Sequence, residues 1–291
     1  MSQQLKAHLA MFTVALIYGI NYFVTKVVVP DYIEPFGAIL IRVFFGSILF
    51  FLVHKLTVDE KVEKSDLKKF ALCGMFGVAA NQLMFFKGLS ITTPVNASLI
   101  MTTTPILVLI TSAIVLGEKI TLTKVIGILL GATGAILLIG GTDFSFSSDT
   151  LWGDVFIFLN AMSYGIYLIL VKPLMKKYEA ITVVRWTFSF GLLMIFPFGI
   201  SEFMETPVDN LLNPTVLWSM AFIIVFTTFF AYLLNAYSLR FVNASVVGFY
   251  VYLQPILATF FTIVLGQDID LMRTLLLSGL IFTGVYLVSK Q

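Results

Sequence analysis

Polar residues are rare enough in this chain to read as punctuation between apolar runs. The runs cover residues 7–29, 33–54, 67–90, 94–116, 121–140, 151–172, 180–200, 215–238, 243–265 and 269–289. Each matches the roughly 20 apolar residues that an α-helix needs to cross the hydrocarbon layer. The first run is longer than the apolar part of a cleaved signal peptide, about 7–15 residues, so it is read as a span. The breaks carry turn chemistry at Pro30-Asp31, at Gly140-Gly141-Thr142-Asp143 and from Pro207 to Pro214. Several connections are only a few residues long, which makes the helices they join antiparallel neighbours. The expected fold is all-α and integral to a membrane, with ten transmembrane helices.

Composition supports this solvent assignment. Hydrophobic residues make up 59% of the 291 positions and charged residues 12%, about half the charge of an ordinary soluble domain. Lysine and arginine bias then sets direction. With the N-terminus on the cytoplasmic side, thirteen of the eighteen basic residues fall in inner segments, from Lys6 through Lys55–Lys69, Lys119, Lys124, Lys172–Lys177 and Arg240 to Lys290. The opposite orientation would put them outside. Both termini are therefore expected in the cytoplasm, with the protein multi-pass in the plasma (inner) membrane. A net charge of +2 gives no reason to expect nucleic acid, and the single cysteine, Cys73, excludes an internal disulfide and a multi-cysteine metal cluster.

The pattern repeats. YGINYFVTK at Tyr18–Lys26 returns as YGIYLILVK at Tyr164–Lys172. Pro105 and Pro255, Leu89 and Leu239, and Gly134 and Gly284 each stand 150 apart, and VLG at Val115 answers VLG at Val264. VNAS at Val95 and Val242 breaks that offset and is read as coincidence. Residues 1–142 and 143–291 thus form two five-helix halves. Five is odd, so the second half enters the membrane upside down, as in the inverted repeats of many secondary transporters.

With its ten runs, its five-plus-five duplication, Arg42 in the second span and the Pro105…Leu116-Gly117-Glu118 ending of the fourth, the chain resembles the drug/metabolite transporter superfamily, EamA type. The resemblance covers nearly the whole chain and implies a bundle around a central cavity that moves small metabolites, often amino acids and commonly outward. The chain departs from the pattern where Gln267 replaces the acid expected at the end of the second half.

Candidate substrate contacts come from polar residues that lipid would leave unpaired. Tyr18, Asn21, Tyr22 and Thr25 share one helical face, and Asn160, Ser163, Tyr164 and Tyr167 repeat the spacing in the sixth span. Interhelical hydrogen bonding would explain both stripes, but their duplication favours cavity lining. Gln82 and Tyr232 share the 150 offset, with Asn81 and Asn235 beside them. Pro105 and Pro255 are candidate hinges, the second preceded by Gln254. Arg42 is the sharpest single candidate, because a central arginine costs about 2.5–3.5 kcal/mol on insertion scales and so faces a cavity or a partner. Arg185 lies shallower, within reach of Glu179 or of the interface. Lys26 and Lys87 are best read as snorkelling.

No acidic residue lies deep in a span, which disfavours a proton-driven pump of cationic drugs. A cationic lining suits a carboxylate, so the expectation is a carrier, exporter or exchanger of small zwitterionic or anionic metabolites. The alternatives are a passive small-solute channel and an exporter of hydrophobic drugs or other metabolites. His8 and His54 are not spaced for a metal, and no phosphate loop or catalytic constellation occurs. The chain is read as neither an enzyme nor a cofactor protein, with a solute and the lipid bilayer as partners and a monomer as sufficient. Gly127, Gly131 and Gly134 are read as sites of close helix packing.

Overall fold

A computed structural model describes residues 2–92, 97, 100–139, 150–253 and 271–289. The side chains of Tyr22 and Lys26, and all of Gln254, Pro255 and Gln267, lie outside the described residues. Every regular element among the described residues is helical. Helix α1 spans Gln3–Val28 and α2 spans Pro35–Thr57. A short turn at Lys64–Asp66 leads into α3 (Leu67–Gly74), a π-helical turn (Met75–Ala79) and α4 (Ala80–Ile91). Then come α5 (Thr104–Leu116), α6 (Leu122–Ile139), α7 (Leu151–Lys177) and α8 (Ala180–Glu205). The short α9 (Val208–Leu212) precedes α10 (Pro214–Phe222), a second π-helical segment (Ile223–Phe230) and α11 (Ala231–Leu239). Helix α12 (Ala244–Phe249), a 3₁₀ turn (Tyr250–Tyr252) and α13 (Leu271–Ser289) complete the described chain.

Five continuous helical stretches are long and apolar enough to cross a membrane: Pro35–Thr57, Lys64–Ile91, Leu151–Lys177, Ala180–Glu205 and Pro214–Leu239. Shorter apolar helices lie at Thr104–Leu116, Leu122–Gly134 and Leu275–Val288. Large apolar side chains such as Phe44, Phe45, Phe51, Leu193, Phe196 and Leu276 point outward from these helices. In water such a surface would be severely unfavourable; in hydrocarbon it costs nothing.

Matching helices of the two halves lie against each other and run antiparallel. Gly37 near the start of α2 meets Glu202 near the end of α8, Gly46 meets Phe188, and His54 at the end of α2 meets Arg185 near the start of α8. Likewise Gly127, early in α6, sits against Gly284 and Val288, late in α13, while Gly134 meets Leu277 and Ile281. The glycines make this close approach possible. A Cβ on Gly284 would stand 2.5 Å from the carbonyl oxygen of Gly127, so the two backbones touch where side chains would otherwise hold them apart.

Two layers of polar contacts close the ends of the bundle. At the lysine-rich end the buried carboxylate of Asp66 accepts hydrogen bonds from Lys69 Nζ (2.9 Å), Lys177 Nζ (2.7 Å) and the Tyr178 hydroxyl (2.9 Å). These contacts hold its carboxyl well below the usual carboxylate range, with Lys177 the largest cause. Glu118 accepts from the Ala244 amide (3.1 Å) and the Ser245 hydroxyl (2.8 Å), tying the end of α5 to the start of α12. At the opposite end Glu202 accepts from the amides of Phe36 (2.6 Å) and Gly37 (2.9 Å), filling the first turn of α2 that its own N-cap residue Glu34 leaves uncapped.

The structure corrects two expectations. Pro105 does not bend a continuous helix; the backbone breaks into a turn at Thr102-Thr103, and Pro105 stands in the first turn of the new helix α5, where its missing N–H is no loss. Glu179 does not pair with Arg185. It accepts two hydrogen bonds from Arg240, at 2.6 and 3.3 Å.

Candidate functional site

The polar residues of the bundle interior converge on the two π-helical turns. Widening a helix by one residue leaves a carbonyl without its usual partner. Side chains take carbonyls of these turns, from other helices at the first and from within the turn itself at the second. Gln82 Nε2 donates to the Tyr232 hydroxyl (2.8 Å), which donates in turn to the carbonyl of Gly77 in the first π-turn (3.2 Å). Arg42 Nε donates to Thr228 Oγ1 (3.0 Å), which donates to the carbonyl of Ile223 in the second (2.9 Å). Ser163 Oγ donates to Phe76 O (2.7 Å), again in the first π-turn. Two directed relays thus run from a polar head group of the first half through a hydroxyl of the second to a backbone acceptor.

Arg42 is buried and held by this relay at the centre of α2. Beside it, Thr227 Oγ1 donates to Asn21 Oδ1 (2.9 Å), fastening α1 to the second π-turn. Tyr18, Tyr164 and Asn235 line a void of about 10 Å³, together with Tyr250, whose hydroxyl lies 2.8 Å from His8 Nδ1. That volume holds about one water.

The sequence-derived candidates separate into three groups. Tyr18, Asn21, Arg42, Gln82, Tyr164 and Tyr232 come together in the interior, at the void or in the polar contacts next to it. Tyr167 does not line the void: its ring lies so close against Gly77 that a Cβ there would overlap it, and its hydroxyl finds no partner among the described residues. Two other members of the same stripe are also committed to packing. Asn160 Nδ2 donates to Asn81 O (2.7 Å), and Ser163 holds the π-turn. Arg185 stands apart from the interior, with its guanidinium 3.1 Å from His54 Nδ1 and 5.0 Å from the centre of the Phe51 ring. Three further residues of the interior carry no sequence signal of their own. Thr227 and Thr228 look like ordinary small polar residues in an apolar run, and Tyr250 gains its place only from the 3₁₀ turn that carries it.

The model of the EamA-like transporter family matches the chain twice, at residues 5–140 and 151–290. The chain belongs to the EamA-like transporter family. The double match makes each half of this EamA protein one copy of the family unit. An uncharacterized transporter of Archaeoglobus fulgidus is 27% identical to it, with 98% of each chain covered. An uncharacterized transporter of Bacillus subtilis is 24% identical, covering 99% of this chain and 97% of its own. A probable terminal-alkyne amino-acid exporter of Streptantibioticus cattleyicolor is 26% identical over 49% of this chain and 48% of its own. A solved crystal structure superposes with a TM-score of 0.82 at 18% identity, covering 98% of both chains, and so shares the fold. The chain is thus a multi-pass membrane protein of a transporter family.

Proposed function

We propose that this EamA protein is a secondary carrier of small zwitterionic or anionic metabolites such as amino acids, working as an exporter or exchanger in the plasma (inner) membrane with both termini in the cytoplasm. Its ten helices form two inverted five-helix repeats, and the solute crosses at the seam between them. The antiparallel pairing of α2 with α8 and of α6 with α13 supports the inversion, since matching helices of inverted halves must run in opposite senses. Thirteen basic residues in the inner segments support the orientation.

The observation that carries the chemistry is the buried Arg42 guanidinium, held by Thr228 beside Tyr18, Asn21 and Tyr232. A buried cation held, among the described residues, by one side-chain hydroxyl on Nε keeps its outer fork suited to a carboxylate, which it binds in bidentate fashion. The tyrosine rings around it offer flat apolar surface to the rest of an organic solute. A void of about 10 Å³ admits a solute only if it widens, as alternating access provides. The name of the amino-acid exporter from Streptantibioticus agrees with this substrate class.

The test is uptake of labelled amino acids into proteoliposomes, after a thermal-shift screen against amino acids, nucleobases and organic acids has found a stabilising solute. Arg42→Ala is expected to abolish uptake and the thermal shift while the ligand-free protein still melts cooperatively. Wild-type rates in that variant would refute the reading.

A further inference from the structure

At the lysine-rich end, the end of α2, the loop after it and Arg185 of α8 line an open pocket of about 620 Å³ that is separate from the interior void. Its walls include Phe51, His54, Lys55, Asp59, Glu60 and Arg185. Arg185 donates from Nη1 to His54 Nδ1 at 3.1 Å, and its guanidinium lies over the rings of Phe51 (5.0 Å) and Trp186 (5.4 Å). Because a guanidinium only donates, Nδ1 accepts and the imidazole proton sits on Nε2. That Nε2 is buried and has no hydrogen-bond partner among the described residues. Neither Arg185 nor Lys55 takes part in any of the ion pairs among the described residues. Asp59 and Glu60 stand on the loop side, where Glu60 accepts the Glu179 amide at 3.1 Å. On the bundle side the pocket meets the outward apolar face of α2, with Phe51, Leu52 and Leu56 exposed.

We propose that this pocket binds a membrane phospholipid whose headgroup joins a phosphodiester to a primary ammonium, the phosphatidylethanolamine class. The phosphodiester oxygens accept from Arg185 and Lys55. The ammonium turns toward Asp59 and Glu60, and the acyl chains lie along Phe51, Leu52 and Leu56. Two cations and two carboxylates make the pocket nearly neutral, which fits a zwitterionic headgroup better than a singly anionic one. Arginine is the side chain that meets a phosphate with a fork of donors. The orientation proposed above puts this end at the inner leaflet, but the pocket chemistry does not depend on Arg42 or on the transported solute.

The experiment is native mass spectrometry of the full chain in detergent, titrated with phosphatidylethanolamine, phosphatidylglycerol, diacylglycerol and soluble glycerophosphoethanolamine. The expected result is one saturable phosphatidylethanolamine adduct per chain, weakened about fivefold by Arg185→Gln. Phosphatidylglycerol should bind more weakly, and Asp59→Asn with Glu60→Gln should bring it level. If Arg185→Gln does not melt cooperatively, Lys55→Ala at the exposed rim carries the same expectation of weaker binding. Unchanged adducts in the folded cationic-site variants would overturn the proposal, as would diacylglycerol binding equal to phosphatidylethanolamine. Equal competition by glycerophosphoethanolamine would overturn the lipid assignment and give the site to a soluble phosphate compound.

Discussion

Gln82 and Tyr232 stand 150 positions apart in sequence and 2.8 Å apart in space. Each half contributes one member, so their hydrogen bond reports directly on the seam. A double-mutant cycle with Gln82→Ala and Tyr232→Phe, read as melting free energy in detergent, should return a coupling of about 0.6–2 kcal/mol, the range for interhelical hydrogen bonds in membranes. Their shared offset was legible in the sequence; that the two side chains meet was not. Arg42 was legible as well, because a guanidinium in mid-span has few physical options. Thr228, which receives it, was not, since nothing in IIVFTTFF marks one threonine as an acceptor. Asp66 gives a residue-scale prediction at the lysine-rich end. Its carboxyl is depressed by Lys177, Lys69 and Tyr178, so its contribution is complete above the unfolded carboxylate range, near pH 4, and is lost as pH falls further. Melting temperatures between pH 7 and pH 3 should therefore drop less in Asp66→Asn than in the wild type.

At the level of helices, the interior depends on two features of different visibility. The glycine faces could be read from sequence, and Gly127 and Gly134 do seat α13 against α6. Gly284→Ala places a methyl 2.5 Å from the Gly127 carbonyl. It should destabilise the protein by about 1–3 kcal/mol, the usual cost of forcing packed elements apart, seen as a lower melting temperature in the same detergent. The π-turns could not be read. An extra residue in a helical turn leaves the hydrophobic period of an all-apolar segment unchanged, and only the side chains that come to its carbonyls, such as Tyr232 on Gly77 and Thr228 on Ile223, reveal it. The same limit applies to Asn160 and Tyr167. Their spacing shows that they face inward, but whether an inward face meets a cavity or a neighbouring helix depends on that neighbour, here Asn81 and Gly77.

For the whole molecule, apolar runs of spanning length carried the all-helical, membrane-spanning character and the 150-residue offset the doubled family unit, because membrane solvent and gene duplication both write long, regular patterns. The size of the interior void was beyond reach, since spacing shows which residues face inward and not how closely they pack. That size bears on the proposed choice of a carrier over a pore. A void with room for about one water passes solute only by widening. The most direct test is counterflow: proteoliposomes loaded with unlabelled solute, measured for entry of the labelled form over a range of concentrations. The account predicts entry that saturates and is accelerated by solute on the far side. Flux that rises linearly with concentration and ignores the internal solute would contradict it.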